Sequence, residues 1–424
     1  MPKGKKAKLK EASPDKVMEE LQLKKLQLKV LLEITKSINR NLKIEELFAI
    51  YEDFLKNELL VGKLALFTCE YAHGDAHENL KCSLFYGADE RIKDFDVSSL
   101  LKDIKVPQSI SPSDMFLNEF ATILPVFHKD MPLAYVLIGD YRHPEMHYED
   151  DALPFVQLLT NIILVANENK RFAKEQIKQA ELKKEMQLAA KMQTMLFPVS
   201  FPDHEQIEVF GTYLPHHRIG GDYYDFFLIN DNELLICIAD VSGKGVSAAL
   251  LMSNFQANLH ALVKHFTTLH VLVTDLNRCV MESANGEKHI TFFVGMVNIH
   301  THVFTYVNAG HPPPIMHNSH GVQLLKSGTT GLGMFEPLPF LSIGYTKITP
   351  DTTILCYTDG VIEMENDQED HFGAERLGQF MMEHPRWEKL DDLHHTLVEK
   401  LTAFNRSSDF LDDISLLSCR FKML

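Results

Sequence analysis

Cysteine and positive charge are both in short supply in this 424-residue chain. Its six cysteines (Cys69, Cys82, Cys237, Cys279, Cys356 and Cys419) form no C-x-x-C pair, and several fall within apolar runs. They read as reduced core residues, which argues against a disulfide framework and a cysteine-built zinc site. Lysine and arginine total 42 against 58 acidic residues, a net charge of −16. That balance argues against nucleic acid as the main partner, because phosphate binding needs a basic face. Long apolar runs are missing as well: Phe155–Ala166 is too short and too interrupted to cross a bilayer. No apolar core follows the lysines that open the chain, so no signal peptide is expected and the cytoplasm is the expected compartment. The rest is ordinary for a globular protein: 45% hydrophobic and 24% charged residues, over a length that suits two or three domains.

The pattern that carries chemistry runs from Arg218 to Gly245, R-I-G-G-D-Y-Y-D-F-F-L-I-N-D-N-E-L-L-I-C-I-A-D-V-S-G-K-G. Glu233–Ala239 is short, apolar and bounded by turn residues, so a buried strand is predicted there. Tyr223–Ile229 predicts a second strand, paired with the first as a hairpin across Asn230-Asp231-Asn232. Asp222 and Asp240 then reach the same end of one sheet. Two further acidic turns follow: Thr353–Thr358 leads into Asp359-Gly360, and Asp412-Asp413 opens the strand-like run Ile414–Leu417. One Asp-Gly is an ordinary turn. Four acidic strand ends in a single domain are harder to explain structurally, because clustered carboxylates repel unless a cation is present. Hard divalent cations call for several fixed oxygens at one rim.

Five motifs occur in order: G-G-D-Y-Y-D, A-D-V-S-G-K-G, N-A-G-H-P-P-P (Asn308 to Pro314), Y-T-D-G-V-I-E (Tyr357 to Glu363) and D-D-I-S (Asp412 to Ser415). Together they resemble the PPM-type serine/threonine phosphatases of the SpoIIE/RsbU class, from about Leu196 to the C-terminus. The resemblance implies an α+β fold, an αββα sandwich with two Mg²⁺ or Mn²⁺ ions at one rim. It implies Asp222, Asp240, Asp359 and Asp412 as carboxylate ligands, with the Val241 carbonyl completing the set and Asp413 in support. Asp225 is a candidate to buttress the ligands, and Lys244 is either a phosphate contact or a solvated lysine. A water activated between two ions would attack phosphorus in line, so no protein nucleophile is required. The family has Gly-Asp shortly before the Asp359 strand where this chain has Pro350-Asp351, a turn that touches no implied ligand. The substrate implied is a phosphoserine or phosphothreonine of a small anti-sigma-antagonist (STAS-type) protein. Two other readings stay open, a metal-binding pseudophosphatase scaffold and a hydrolase of small phosphate esters.

Upstream, residues 1–15 carry five lysines in the first ten positions and read as a solvated basic tail. Helical spacing begins near Ser13-Pro14-Asp15, and a second helix is predicted over Ile44–Leu59. Lys63–Glu70, Asn79–Tyr86, Ala121–Phe127 and Pro132–Asp140 read as strands. Over residues 16–150 this order resembles a GAF-type sensory domain; a PAS-like or ligand-free domain fits the same pattern. A small molecule or a protein is the signal such a domain would take. Residues 151–197 then form one long helical linker from Asp150 to Leu196, apolar at first and later charged, with a coiled-coil-like stripe interrupted at Asn169 and Gln176. It is expected to pair with its copy in a homodimer; a monomeric helix folded on its own domains is the alternative. The phosphatase-like domain takes residues 198–424. In it, helices are expected over Gly245–Phe266, Asp275–Ser283, Ala374–Met382 and Leu390–Phe404, with a hairpin from Thr291–Ile299 to Val303–Ala309.

Other motifs fail on their spacing. Gly243-Lys244 lacks the first glycine and the final hydroxyl of a phosphate-binding loop. Ser242 lacks the glycine two residues earlier that a nucleophile elbow needs. His216-His217 is adjacent rather than on one helical face. His311 sits in a turn fixed by prolines, as a structural residue or a contact for bound phosphate.

Overall fold

The computed structural model describes residues 14–70, 79–94, 96–111, 117–129, 131–141, 152–201, 205–215, 219–383, 387–405 and 412–422. The basic tail up to residue 13, Asp150, and His216-His217 with Arg218 lie outside them. The chain divides into two compact units, Met1–Gln179 and Ala180–Leu424.

In the first unit, α1 (Pro14–Asn39) and α2 (Ile44–Asp53) lead through a π-helical turn (Phe54–Glu58) into β1 (Val61–Glu70) and β2 (Asn79–Tyr86). A 3₁₀ turn (Glu90–Lys93), α3 (Ser98–Leu101), β3 (Gln108–Ser109), β4 (Thr122–His128), β5 (Met131–Tyr141) and α4 (Leu153–Thr194) follow. The strands make one antiparallel sheet in the order β2-β1-β5-β4-β3. In β1, Leu64 and Leu66 face a core with Ile34, Tyr51, Leu159 and Ile163 from the helices, whereas Ala65 and Phe67 face Ile92, Leu101 and Phe120. Side chains alternate across a strand, and here both faces are covered, so the run reads as continuously apolar. Tyr51 and Thr160 share a buried hydroxyl contact of 2.6 Å that joins α2 to α4. The helix predicted over Ile44–Leu59 is therefore present, with its last turn widened to a π-helix.

The boundary between the units falls inside α4, in a stretch where Phe172, Ile177, Leu182 and Leu188 are each about six-tenths exposed. Among the described residues no helix is long and apolar enough to cross a membrane.

The second unit contains β6 (Ile207–Leu214), β7 (Tyr223–Asn230), β8 (Glu233–Val241), α5 (Val246–Leu262), α6 (Leu269–Ala284), β9 (Ile290–Asn298) and β10 (Val303–Ala309). Next come β11 (Ile315–Asn318), β12 (Gly321–Leu324), β13 (Gly328–Thr329), β14 (Gly344–Lys347), β15 (Thr352–Tyr357), α7 (Asp359–Ile362), α8 (Gly373–Glu383), α9 (Leu390–Asn405) and β16 (Ile414–Phe421). One sheet runs β13-β10-β9-β8-β7, with β14 also on β10; the other runs β12-β11-β15-β16-β6. Alternation in β15 and β16 separates the layers. Ile354, Cys356, Leu417, Cys419 and Phe421 join the core that holds β8, β9, α5 and α6. Leu355, Tyr357 and Leu416 face the opposite way, onto Leu377 of α8 and Leu397 of α9. The result is an α+β sandwich layered helix, sheet, sheet, helix.

Two expectations shift at their edges. Helix α6 begins at Leu269, six residues before the expected Asp275, because Thr268 caps it by accepting from the Val271 amide at 3.3 Å. Strand β16 continues to Phe421, paired along its length with β6. None of the six cysteines, all among the described residues, is in a disulfide, and Cys237, Cys356 and Cys419 are buried as expected of core residues.

The first sheet is tight at Gly295, where an added Cβ would stand 2.1 Å from Cζ of Phe304. We expect Gly295→Ala to cost about 1–3 kcal/mol of unfolding free energy in denaturant titration, the usual penalty for overpacking. Phe304→Leu in the same background should return part of the loss, and strict additivity in the double mutant would refute the contact.

Candidate metal centre

The predicted hairpin forms with Tyr223 opposite Ala239, so Asp222 and Asp240 leave it at one end. The Val241 amide closes that end on the Gly221 carbonyl at 3.4 Å. Asp240 pairs with Thr291 on the neighbouring strand β9.

The other sheet brings its own ends to the same place. Thr358, the residue after β15, donates its hydroxyl to Asp222 Oδ2 at 2.8 Å and accepts from the Ser415 amide at 2.9 Å. One threonine thus links the start of β7, the end of β15 and the start of β16. Asp413 Oδ2 accepts from the Gly221 amide at 3.2 Å. The glycines are forced by this crowding: a Cβ on Gly220 would lie 1.9 Å from Asp413 Oδ2, and one on Gly360 would lie 2.1 Å from the Asp413 carbonyl oxygen. Asp412 turns outward, accepting from the Asp413 amide at 2.9 Å and pairing with Lys244 Nζ at 2.8 Å.

Burial and mutual repulsion raise the proton affinity of Asp222, Asp240 and Asp359. Asp222, 2% exposed, is pushed well above the ordinary carboxylate range, first by burial and then by Asp240 and Asp413. Burial and the Asp359 charge push Asp240 up to about 7. Asp359 is pushed up to about 6 by burial, with Glu363 and Asp412 adding to it. The four implied acids and Asp413 therefore share one electrostatic environment, although no three side chains among the described residues already stand at coordination spacing. Asp222 instead bonds to Thr358, and Asp412 to Lys244. The donor chemistry fits a hard divalent cation: oxygen ligands only, carrying charge that burial leaves poorly solvated.

Other candidates resolve differently. Asp225 does not bond to Asp222; its carboxylate receives the Tyr223 hydroxyl, the Phe226 amide at 2.8 Å and His260 Nε2 at 2.7 Å, tying β7 to α5. His311 is 3% exposed, its Nδ1 lies 2.9 Å from the Thr291 hydroxyl, and burial pushes its pKa down to about 3. A neutral ring wedged beside the Asp240 strand pair favours the structural reading. Two residues escaped sequence reasoning, Thr358 and Gln193. Gln193, 5% exposed in the last turn of α4, donates to the Gly220 carbonyl at 2.7 Å and accepts from the Gly220 amide at 3.2 Å. Its only sequence signal is a polar side chain in an otherwise apolar stripe.

The raised carboxyls fix a pH dependence in excess chelator. A carboxyl whose folded pKa exceeds its unfolded value holds its proton more tightly in the folded chain, so stability falls as pH rises. For Asp240 the fall spans about 4, the unfolded value, to about 7. We expect the C-terminal unit to melt higher at pH 5 than at pH 7.5, with a shallower dependence in Asp240→Asn. Equal slopes for mutant and wild type in thermal melts would contradict this.

Residues 230–422 match the family profile "Stage II sporulation protein E (SpoIIE)". Protein IcfG from Synechocystis sp. is 27% identical over 288 residues, 61% of this chain and 45% of its own length. Phosphoserine phosphatase RsbU from Bacillus subtilis is 29% identical over 237 residues, 55% of this chain and 70% of its own. The chain thus spans under half of the length of the first relative and about two thirds of the second. Among solved structures, the SiaA-PP2C domain of Pseudomonas aeruginosa superposes with a TM-score of 0.52 at 18% identity, covering 58% of this chain and 99% of that domain, which establishes a shared fold. Over residues 230–422 the C-terminal unit is therefore similar to the SpoIIE family and to the phosphatase RsbU.

Proposed function

We propose that this protein is a metal-dependent serine/threonine protein phosphatase. The observation that carries this reading is the meeting of Asp222, Asp240, Asp359 and Asp412, from two sheets, at one rim, where burial raises the pKa values of Asp222, Asp240 and Asp359. These four carboxylates and the Val241 carbonyl would hold two Mg²⁺ or Mn²⁺ ions. Bound there, the ions supply the positive charge that activates a water and neutralises a phosphoryl group. The chain's own part is positional. Thr358 orients Asp222 by its 2.8 Å hydrogen bond, while the Gly221 amide holds Asp413 behind the ligands.

A protein substrate fits better than a small ester. Met334, Phe335 and Phe340 are exposed on a loop whose base is fixed, since Asn277 donates to the Phe335 carbonyl and accepts from the Gly333 amide, both at 2.9 Å. Leu332 of that loop bridges Ile290, and the neighbouring His289 amide bonds to the Ser242 hydroxyl at 3.0 Å, beside the Asp240 turn. A rigid apolar surface next to the acidic rim suits a folded partner. The name of RsbU points to phosphoserine, and a STAS-type anti-sigma antagonist is the partner we favour.

The N-terminal unit is proposed as a GAF-like sensory domain, supported by its five-stranded antiparallel sheet with α1, α2 and α4 on one face and the 3₁₀ turn and α3 on the other. The exposed apolar residues of α4 support pairing with a second copy, as a long helix with apolar side chains in water gains from a partner. Light scattering of the full chain should return a dimer, and Leu182→Lys with Leu188→Lys should return a monomer; a monomeric wild type would refute the pairing.

Asp240→Asn and Asp359→Asn should each lower turnover of a phosphothreonine protein in Mn²⁺ by at least ~10²-fold, since even residues that merely support ligands cost 10–100-fold. Circular dichroism should stay native. Phe335→Ser should slow the phosphoprotein but not an aryl phosphate. Undiminished turnover in both Asp variants would sink the phosphatase reading, and equal slowing of both substrates by Phe335→Ser would remove the case for a docked protein.

A further inference from the structure

Lys244 stands on the turn that follows Asp240, within ion-pair distance of Asp412. It lies between Gly243 and Gly245, with φ of 84° and 80°, values that L side chains rarely adopt. The turn beneath it is pinned: Lys288 Nζ donates to the Ser242 carbonyl at 2.8 Å, the His289 amide donates to the Ser242 hydroxyl at 3.0 Å, and the Ser242 amide donates to the His289 carbonyl at 2.9 Å. Helix α5 starts immediately afterwards at Val246 and anchors the far end. The side chain is thus delivered over the acidic rim by a backbone that has little freedom to take it elsewhere. There Nζ meets Asp412 Oδ2 at 2.8 Å and stands in the field of Asp413 and Asp359.

We propose that Lys244 is a built-in competing cation: its ammonium neutralises Asp412 and must leave that carboxylate before a divalent ion can take it. This rests on the reading of Asp412 as a metal ligand. An ammonium and a divalent cation compete for Asp412 Oδ2, because each repels the other. The ammonium has the weaker claim, being singly charged and half exposed, with Asp412 a third exposed. A pair so placed is screened and modest in strength, so it retards and weakens metal uptake without preventing it. The device also shields the acidic rim from its own repulsion when divalent ions are scarce. Once displaced, the ammonium remains within reach of the rim and available to an incoming phosphate.

Calorimetric titration of the full chain with Mn²⁺ tests this at low ionic strength. Lys244→Gln should bind Mn²⁺ about two- to fivefold more tightly than wild type, the range an exposed ion pair supports. Lys244→Arg, which keeps the charge, should bind like wild type. The gain in Lys244→Gln should shrink in 0.5 M KCl, as screening weakens the pair in the parent. In chelator, Lys244→Gln should melt below wild type, the opposite of its effect on metal affinity. Equal or weaker Mn²⁺ binding by Lys244→Gln, with wild type binding normally, overturns the proposal and leaves Lys244 as a phosphate contact only. Failure of Mn²⁺ to bind wild type overturns instead the metal reading beneath it.

Discussion

Repulsion among buried carboxylates is the constraint around which the C-terminal unit is arranged. Asp222 and Asp240 come from one sheet, Asp359, Asp412 and Asp413 from the other, and burial with the neighbouring charges raises the proton affinity of Asp222, Asp240 and Asp359. Such a group would fly apart on loops. Here each acid is fixed by its place at a strand end, and the strands are locked by register over six to nine residues. The neighbours soften the conflict one carboxylate at a time: Thr358 for Asp222, the Gly221 amide for Asp413, and Lys244 for Asp412. Even the glycines belong to this arrangement, since Gly220 and Gly360 leave the space that Asp413 fills.

That arrangement explains what could be read in the sequence. The β7–β8 hairpin was legible because two apolar runs flank a polar Asn-Asp-Asn turn, and Asp222 and Asp240 were then placed by register alone. The ends at Asp359 and Asp412 were legible as acids beside β-branched or apolar runs. The partner of each acid was not, because hydrogen bonds such as Thr358 to Asp222 and Gly221 to Asp413 join positions 136 and 192 residues apart. Asp225 misled for a related reason. It lies three positions after Asp222, and in an extended chain that spacing turns the side chain to the other face, where His260 waits. The strands β11 to β14 have only two to four residues each and carry no periodicity that a sequence could display.

Helix α4 shows the same division within one element. Its first third announces a core helix with Leu153, Phe155, Val156, Leu159 and Ile163, and these residues are buried. Past Phe172 the apolar residues stand in water, and the interrupted stripe reflects a segment that packs on neither unit's core. The helix then regains a buried side chain at Gln193, whose paired bonds to Gly220 reach the turn in front of Asp222. A polar residue can serve there because Gly220 offers a carbonyl and an amide to a side-chain amide that carries both a donor and an acceptor.

The choice of nucleophile follows from what the described side chains can and cannot do. Burial pushes the thiols of Cys237, Cys356 and Cys419 up, so none offers a thiolate near neutral pH. The Ser242 hydroxyl already accepts from the His289 amide, and no histidine is bonded to it as a base. His311 and His394, each pushed down to about 3, are held neutral by burial and bonded to hydroxyls of the core. On the proposed reading, a centre that offers oxygen ligands and, among the described residues, no activated protein nucleophile leaves the attack to a water. Its acids would crowd together for the same reason, since they would gather the divalent ions whose positive charge activates that water.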